Sequence, residues 1–194
     1  MFTGLIEDLG QVAEVVRSAD GALLRIATRL ASQLRSGDSI AVNGVCLTAT
    51  EVGDGSFATD VMNETLRLTS LAEIGPGTPV NLELAMSPAD RFGGHIVQGH
   101  VDGVGTVVQL VDDGFSRRLT LTAPEQLLRY VVHKGSITVD GVSLTVAALQ
   151  PEGFTVSLIP ETLERTNLGD AAVGTTVNLE VDVLAKYVER LISR

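Results

Sequence analysis

Tryptophan is absent from this chain of 194 residues, and cysteine occurs once, at Cys46. A single thiol excludes an intrachain disulfide, so packing alone must hold the fold, and a reducing setting such as the cytoplasm is expected. Aromatic residues make up only 4% against 44% hydrophobic residues, so the core must be aliphatic. Positive charge is scarce: 14 Lys and Arg stand against 24 Asp and Glu, a formal charge of −10. Such a surface repels phosphate backbones and anionic bilayers, which argues against nucleic-acid and membrane partners. No apolar run approaches the ~20 residues of a membrane-spanning helix. Three histidines and one cysteine make a structural zinc site improbable. No Gly-x-Ser-x-Gly elbow surrounds Ser143, and no triad is completed. The glycines at 93–94 and 103–105 do not join a strand to a helix, so they form no dinucleotide fingerprint. A neutral or weakly charged small molecule remains the best-suited ligand.

What the chain does contain is a duplication. Ser39-Ile40-Ala41-Val42-Asn43-Gly44-Val45-Cys46-Leu47-Thr48 returns as Ser136-Ile137-Thr138-Val139-Asp140-Gly141-Val142-Ser143-Leu144-Thr145, 97 positions later. Residues 37–83 and 134–180 share 19 identities in 47 pairs. The match extends to the start, where Thr3-Gly4-Leu5-Ile6-Glu7 answers Gln98-Gly99-His100-Val101-Asp102. An N-terminus that belongs to the repeated module does not read as a cleavable leader. The period is longer than that of solenoids or propellers, and each copy is long enough for its own core. The copies differ in their chemistry: Cys46 stands against Ser143, Asn43 against Asp140, and Ala85 against Asp182.

Within each copy, β-branched residues alternate with polar ones over short stretches bounded by turn signals. Asn43-Gly44 and Asp140-Gly141 are strong hairpin signals, because a type I′ turn needs positive φ at both central residues. About six short strands per copy are expected. No helix is long enough for a parallel crossover, so each half should close as an antiparallel barrel without exposed edges. Residues 30–34, 64–71 and 124–130 read as short helical turns. The linker is 86–94. The expected division is therefore 1–94, 95–182 and a tail at 183–194. In that tail Val183, Leu184, Tyr187, Val188, Leu191 and Ile192 share one helical stripe, with Lys186, Glu189 and Arg190 opposite. Such a helix either packs on its own barrel or makes an oligomer contact, and the pattern alone supports both.

The chemistry-bearing residues also leave alternatives open. Cys46 is either a small core residue or a nucleophile; its repeat partner Ser143 keeps the second reading alive. His95 and His100 lie five apart around glycines and read as polar surface or hydrogen-bonded residues, and His133 as a solvated turn residue. Glu64-Thr65-Leu66 and Glu161-Thr162-Leu163 are either capping turns or polyol-binding edges. Asp140 and Asp182 occur only in the second copy, so duplication alone does not explain them.

Taken together, Met1-Phe2-Thr3-Gly4, Asn43-Gly44-Val45-Cys46-Leu47-Thr48, Glu64-Thr65-Leu66-Arg67, Gly93-Gly94-His95 with Gly99-His100, Lys134-Gly135, Asp140-Gly141-Val142-Ser143-Leu144-Thr145-Val146 and Ile159-Pro160-Glu161-Thr162-Leu163-Glu164-Arg165-Thr166 resemble the two-barrel, alpha-chain type of riboflavin synthase over essentially the whole length. The resemblance implies an all-β fold of two similar six-stranded Greek-key barrels and a C-terminal helix that trimerises. It implies a cytoplasmic enzyme without a cofactor or metal. The reaction would be dismutation of two 6,7-dimethyl-8-(D-ribityl)lumazine molecules to riboflavin and 5-amino-6-(D-ribitylamino)uracil. In that family the first barrel of one subunit faces the second barrel of its neighbour. Association with other riboflavin-pathway enzymes is a further implied partnership.

The same resemblance implies two substrate pockets. The first would use Gly4, Leu5, Ile6, Cys46, Leu47, Thr48, Asp60, Val61, Met62, Asn63, Glu64 and Thr65, with Ser39 nearby and His100 from the second half. The second would use Gly99, His100, Val101, Lys134, Ser143, Leu144, Thr145, Ser157, Leu158, Ile159, Pro160, Glu161 and Thr162, with Asp140 and Asp182 adjacent. Cys46, His100, Ser143, Thr145, Asp140 and Asp182 are the expected catalytic groups. A non-catalytic lumazine protein, which binds the same ligand as an antenna, is the alternative. A flavin-reductase barrel is disfavoured because no nicotinamide-binding βαβ unit follows.

Overall fold

The computed structural model describes residues 1–192; the last two positions of the expected 183–194 tail lie outside the described residues. Twelve strands form two closed barrels, and all pairings are antiparallel. The first contains β1 (Asp8–Arg17), β2 (Gly21–Ala27), β3 (Ser39–Val42), β4 (Val45–Gly53), β5 (Ser56–Met62) and β6 (Pro79–Leu84), closing in the order β1-β2-β5-β4-β3-β6. The second contains β7 (Gly103–Asp113), β8 (Ser116–Thr122), β9 (Ser136–Val139), β10 (Val142–Gln150), β11 (Gly153–Leu158) and β12 (Thr176–Val181), with the same order. In each, three consecutive strands form a meander and the next returns beside the first of them, which is the Greek key.

Strand alternation accounts for both cores. Along β4, Val45, Leu47 and Ala49 point inward while Cys46 and Thr48 point out. Along β10, Val142, Leu144 and Val146 point inward while Ser143 and Thr145 point out. Phe57 and Phe154 are fully buried at equivalent places in the two cores. Register shifts between Val12 and Glu14, Ala49 and Glu51, Val107 and Gln109, and Val146 and Ala148 mark matching bulges in both halves. Bulges bend and coil strands, which lets six of them close.

Helical pieces are short: α1 (Asn63–Leu68), α2 (Glu125–Leu128), α3 (Pro160–Arg165), α4 (Val183–Ile192), and 3₁₀ turns at Arg29–Gln33, Ser70–Ala72 and Asn167–Asp170. The expected helical turn at 64–71 is thus two pieces, parted by Thr69. Its Oγ accepts from Leu71 N and donates to Thr65 O, ending one piece and starting the other. Thr166 does the same after α3. No helix among the described residues is long and apolar enough to cross a membrane.

The barrels meet across a local two-fold relation. Phe2 pairs with Val97 through bonds of 2.7 and 3.2 Å, and both are buried with Ala41 in a small cluster between the barrels. The two hairpin turns abut: a Cβ on Gly44 would stand 2.7 Å from Gly141 N, and one on Gly141 would stand 2.8 Å from Gly44 N. Both glycines have positive φ, 76° and 81°, so the turn and the docking each require glycine. Around them Asn81 Nδ2 donates to Asp140 O, and Asn178 Nδ2 donates to Asn43 O, both at 2.8 Å.

Helix α4 settles one of the two readings of the tail. Its polar side faces its own barrel: Lys186 Nζ lies 2.6 Å from Asp102 Oδ1, and Glu189 bonds Tyr130 and Arg129. Of the apolar stripe only Val183 is buried; Leu184, Tyr187, Val188, Leu191 and Ile192 are exposed. Packing of that stripe on its own barrel is therefore corrected.

Candidate functional site

Two outward-facing patches on the barrel walls carry the chemistry-bearing residues. On the first barrel, Cys46 is partly buried and Thr48 exposed on β4, and Ser39 of β3 pairs with Thr48. Asp60, Met62, Asn63 and Glu64 are exposed and Thr65 is half-buried at the end of β5 and in α1. On the second, Ser143 is partly buried and Thr145 exposed on β10, and Ser157, Ile159, Pro160 and Glu161 are exposed beside half-buried Thr162. Leu47, Val61, Leu144 and Leu158 point into the cores, so only their main chains can face a ligand.

The structure exchanges two segments between these patches. Ser143 N donates to Gly4 O at 2.8 Å, and Cys46 N donates to Gly99 O at 2.9 Å. Ile6 packs against the core of the second barrel, and Val101 against that of the first. Gly4, Leu5 and Ile6 therefore flank Ser143 rather than Cys46, and Gly99, His100 and Val101 flank Cys46 rather than Ser143. This corrects the assignment of Gly4, Leu5, Ile6, Gly99 and Val101 to their own barrels; His100, expected at both patches, flanks the first. The close approach dictates glycine: a Cβ at Gly4 or Gly99 would lie 2.6 Å from the Cβ of Ser143 or Cys46. Buried carboxylates hold the crossing segments. Glu83 accepts from Thr3 N and Gly4 N at 2.6 and 2.9 Å, and Glu180 accepts from Gln98 N and Gly99 N at 2.7 and 2.9 Å. Burial raises the pKa of both against these bonds.

Of the two readings of His95, polar surface or hydrogen-bonded, the structure shows the second, and it adds a site residue that the sequence reasoning did not include. His95 is buried; Nδ1 lies 2.7 Å from Ser143 Oγ and Nε2 lies 3.2 Å from Thr138 Oγ1. Burial lowers its pKa, opposed by the charge of Asp182, so the ring is held toward the neutral form that can accept the serine proton. Its nearness to Gly93-Gly94 was the available signal: a Cβ on Gly94 would lie 1.9 Å from Thr3 O and 3.2 Å from Ser143 Cβ, so small residues let this loop press on β10. His100 is exposed on the other side, next to the first barrel's wall. Cys46 has no histidine bonded to it; it packs against Phe2, Ala41 and Val97.

The two asymmetric acids have separate surroundings. Asp140 is fully buried on the seam, where Oδ1 accepts from Asn178 N at 2.7 Å and Oδ2 from Asn167 Nδ2 at 2.8 Å. Burial raises its pKa to about 7 despite those bonds. Its partners are the seam residues Asn178 and Asn167, so the expected catalytic group Asp140 is bonded within the seam and not to Ser143. Asp182 accepts from Leu184 N at 3.0 Å at the start of α4 and lies near enough to act on His95. Lys134 is exposed in the turn before β9, with φ of 65°. Among the described residues no group of three or more His, Cys, Asp or Glu is arranged to hold a metal.

Comparison with known proteins agrees with this duplicated geometry. The lumazine binding domain model matches twice, over residues 3–85 and 98–182. The chain is 53% identical to the riboflavin synthase of Mycobacterium bovis, with 98% of each chain covered, and 46% identical to that of Actinobacillus pleuropneumoniae, with 99% of this chain and 90% of the relative covered. The fold is similar to that of LumP in its complex with riboflavin, with a TM-score of 0.88 at 22% identity, covering 93% of this chain and 99% of LumP. Two lumazine-binding modules in one chain, with this identity over the whole length, mean that the chain belongs to the riboflavin synthase family.

Proposed function

We propose that this protein is a transferase that moves a four-carbon unit between two molecules of 6,7-dimethyl-8-(D-ribityl)lumazine, yielding riboflavin and 5-amino-6-(D-ribitylamino)uracil. The observation that carries the reading is the pair of matching wall patches in one chain, centred on Cys46 and Ser143. A reaction between two identical molecules needs two similar pockets, and bringing the reactants together removes a large entropic part of the barrier. Main-chain groups beside Cys46 and Ser143 would read the pyrimidinedione edge. Thr48, Thr65 and Glu64, and Thr145, Thr162 and Glu161, would suit the ribityl hydroxyls.

His95 supports an acid–base role at the second patch, with Ser143 as the group that adds to C7, its proton passing to His95, or that relays a proton from the C7 methyl to His95. Cys46 and His100 would serve the first patch. Both patches are open in the single chain, so a neighbouring copy would close them, the first barrel of one against the second barrel of the next. The uncovered stripe of α4 supports a homotrimer held by that helix. On this reading each domain, 1–94 and 95–182, contributes one pocket, and the enzyme works in the cytoplasm.

The test is incubation of the purified chain with the ribityllumazine and no other cofactor, following riboflavin formation. Turnover is expected. Stoichiometric binding without turnover would establish the antenna function instead. Leu191→Glu should shift sedimentation from trimer to monomer and abolish turnover; a fully active monomer would refute the shared-pocket arrangement.

A further inference from the structure

Along the seam the hydrogen-bonding residues of the two halves answer each other except at two pairs, Asn43 against Asp140 and Ser70 against Asn167. Asn167 follows Thr166, the residue that ends α3, and its side chain makes three bonds. Nδ2 donates to Asp140 Oδ2 at 2.8 Å and to Asn43 Oδ1 at 3.4 Å, and Oδ1 accepts from Asn81 Nδ2 at 2.7 Å. Its repeat partner is Ser70, only 8% exposed, whose Oγ is buried without a partner. The main-chain bonds match: Asn167 N donates to Asn81 Oδ1 at 2.8 Å, and Ser70 N to Asn178 Oδ1 at 2.7 Å. The asymmetry is thus confined to the side chains.

Its position gives it a consequence. Asp140 sits in the turn that leads into β10, three residues before Ser143, and Asn167 sits two residues beyond α3. Their bond joins the strand carrying Ser143 and Thr145 to the helix carrying Glu161 and Thr162. Carboxylate–amide bonds of this kind, buried away from water, are stiff links. In the first half Ser70 is too short to make the equivalent link, so β4 and α1 are not joined this way.

We propose that Asn167 is a positioning residue that, through Asp140, locks strand and helix of the second pocket together, while Ser70 leaves the first pocket adaptable. The proposal rests on the two-pocket reading above and deepens it. Two identical molecules must play unlike parts in a dismutation. Pockets with matched contacts but unequal stiffness separate those parts without needing different ligands.

Hydrogen exchange on the full chain tests this separately from activity. Amides of the 160–165 helix, which begin at Glu161, should exchange about tenfold more slowly than those of 63–68. Asn167→Ser should bring 160–165 to the level of 63–68 and raise KM for the lumazine several-fold while kcat changes less than twofold. Should that variant lose protection everywhere, the transplant decides: Asn43→Asp with Ser70→Asn should slow exchange in 63–68 without touching 160–165. Unchanged exchange at 160–165 in Asn167→Ser, or at 63–68 in the transplant, would overturn the proposal. Absence of lumazine turnover by the unmodified chain would sink the synthase reading and leave the exchange comparison standing.

Discussion

The first barrel presents a thiol, Cys46, packed among Phe2, Ala41 and Val97; the second presents a hydroxyl, Ser143, held by His95. Strand, hairpin and outward orientation are the same at both places. The difference is what each residue touches, and it arises outside the hairpins. The repeat supplies no counterpart of His95 in the first half, and His100 answers Leu5. Duplication therefore preserved the scaffold of a pocket while the segment between the barrels made the pockets chemically unlike.

Breaking the docking of the halves should have the largest effect. Gly44→Ala places a Cβ against the Gly141 main chain and strains a positive φ, whereas Gly55→Ala, at φ of 72° with nothing within 4 Å, suffers only the strain. Denaturant unfolding should show a loss of about 3 kcal/mol or more for the first and about 1 kcal/mol for the second. Equal losses would mean that the abutting turns contribute nothing to holding the barrels together.

The chemical difference between the patches is sharpened next. Ser143→Ala and His95→Gln should each lower kcat on the order of 100-fold, the lower range for a lost acid–base group. Cys46→Ala should cost about tenfold or less, since no histidine is bonded to Cys46 as His95 is to Ser143. Steady-state kinetics in which the three variants fall alike would erase the distinction.

The smallest expected effect is a slope. The pKa of Asp140 rises from 3.8 to about 7 on folding. The stability contributed by its protonated form is therefore complete below pH 4 and lost as pH rises through about 7. Its repeat partner Asn43 carries no such charge, so Asp140→Asn should remove a slope of about 1 kcal/mol per pH unit between those limits. His95 acts in the opposite sense: its lowered pKa means that stability is lost as pH falls below 6.5. Chemical denaturation at intervals from pH 4 to 8 would expose both, and parallel curves for the wild type and Asp140→Asn would remove Asp140 from the account.

Much of the scaffold was legible before any coordinates. The strand count, the Asn43-Gly44 and Asp140-Gly141 turns and the closed barrels follow from alternation and turn chemistry, which act over a few residues. The membership of each patch was harder to read. Gly4, Leu5 and Ile6 lie in the first half of the chain yet border Ser143, because the Phe2–Val97 pairing crosses the seam. The partner of His95 could not be read from the sequence, because a lone histidine near glycines carries none in its own neighbourhood; Ser143 lies 48 positions away.

Sequence by itself determined that there are two modules, what closes each of them and which wall residues face outward. Those outcomes depend on period-two burial and on turns that only Asn-Gly or Asp-Gly pairs form readily. Tertiary structure alone decided which segment borders which wall, that Asp140 belongs to the seam and that α4 turns its apolar side away from its own barrel. Such choices depend on groups 40 to 140 positions apart meeting at hydrogen-bond distance, as Asn43 and Asn178 do, and no local pattern encodes that meeting.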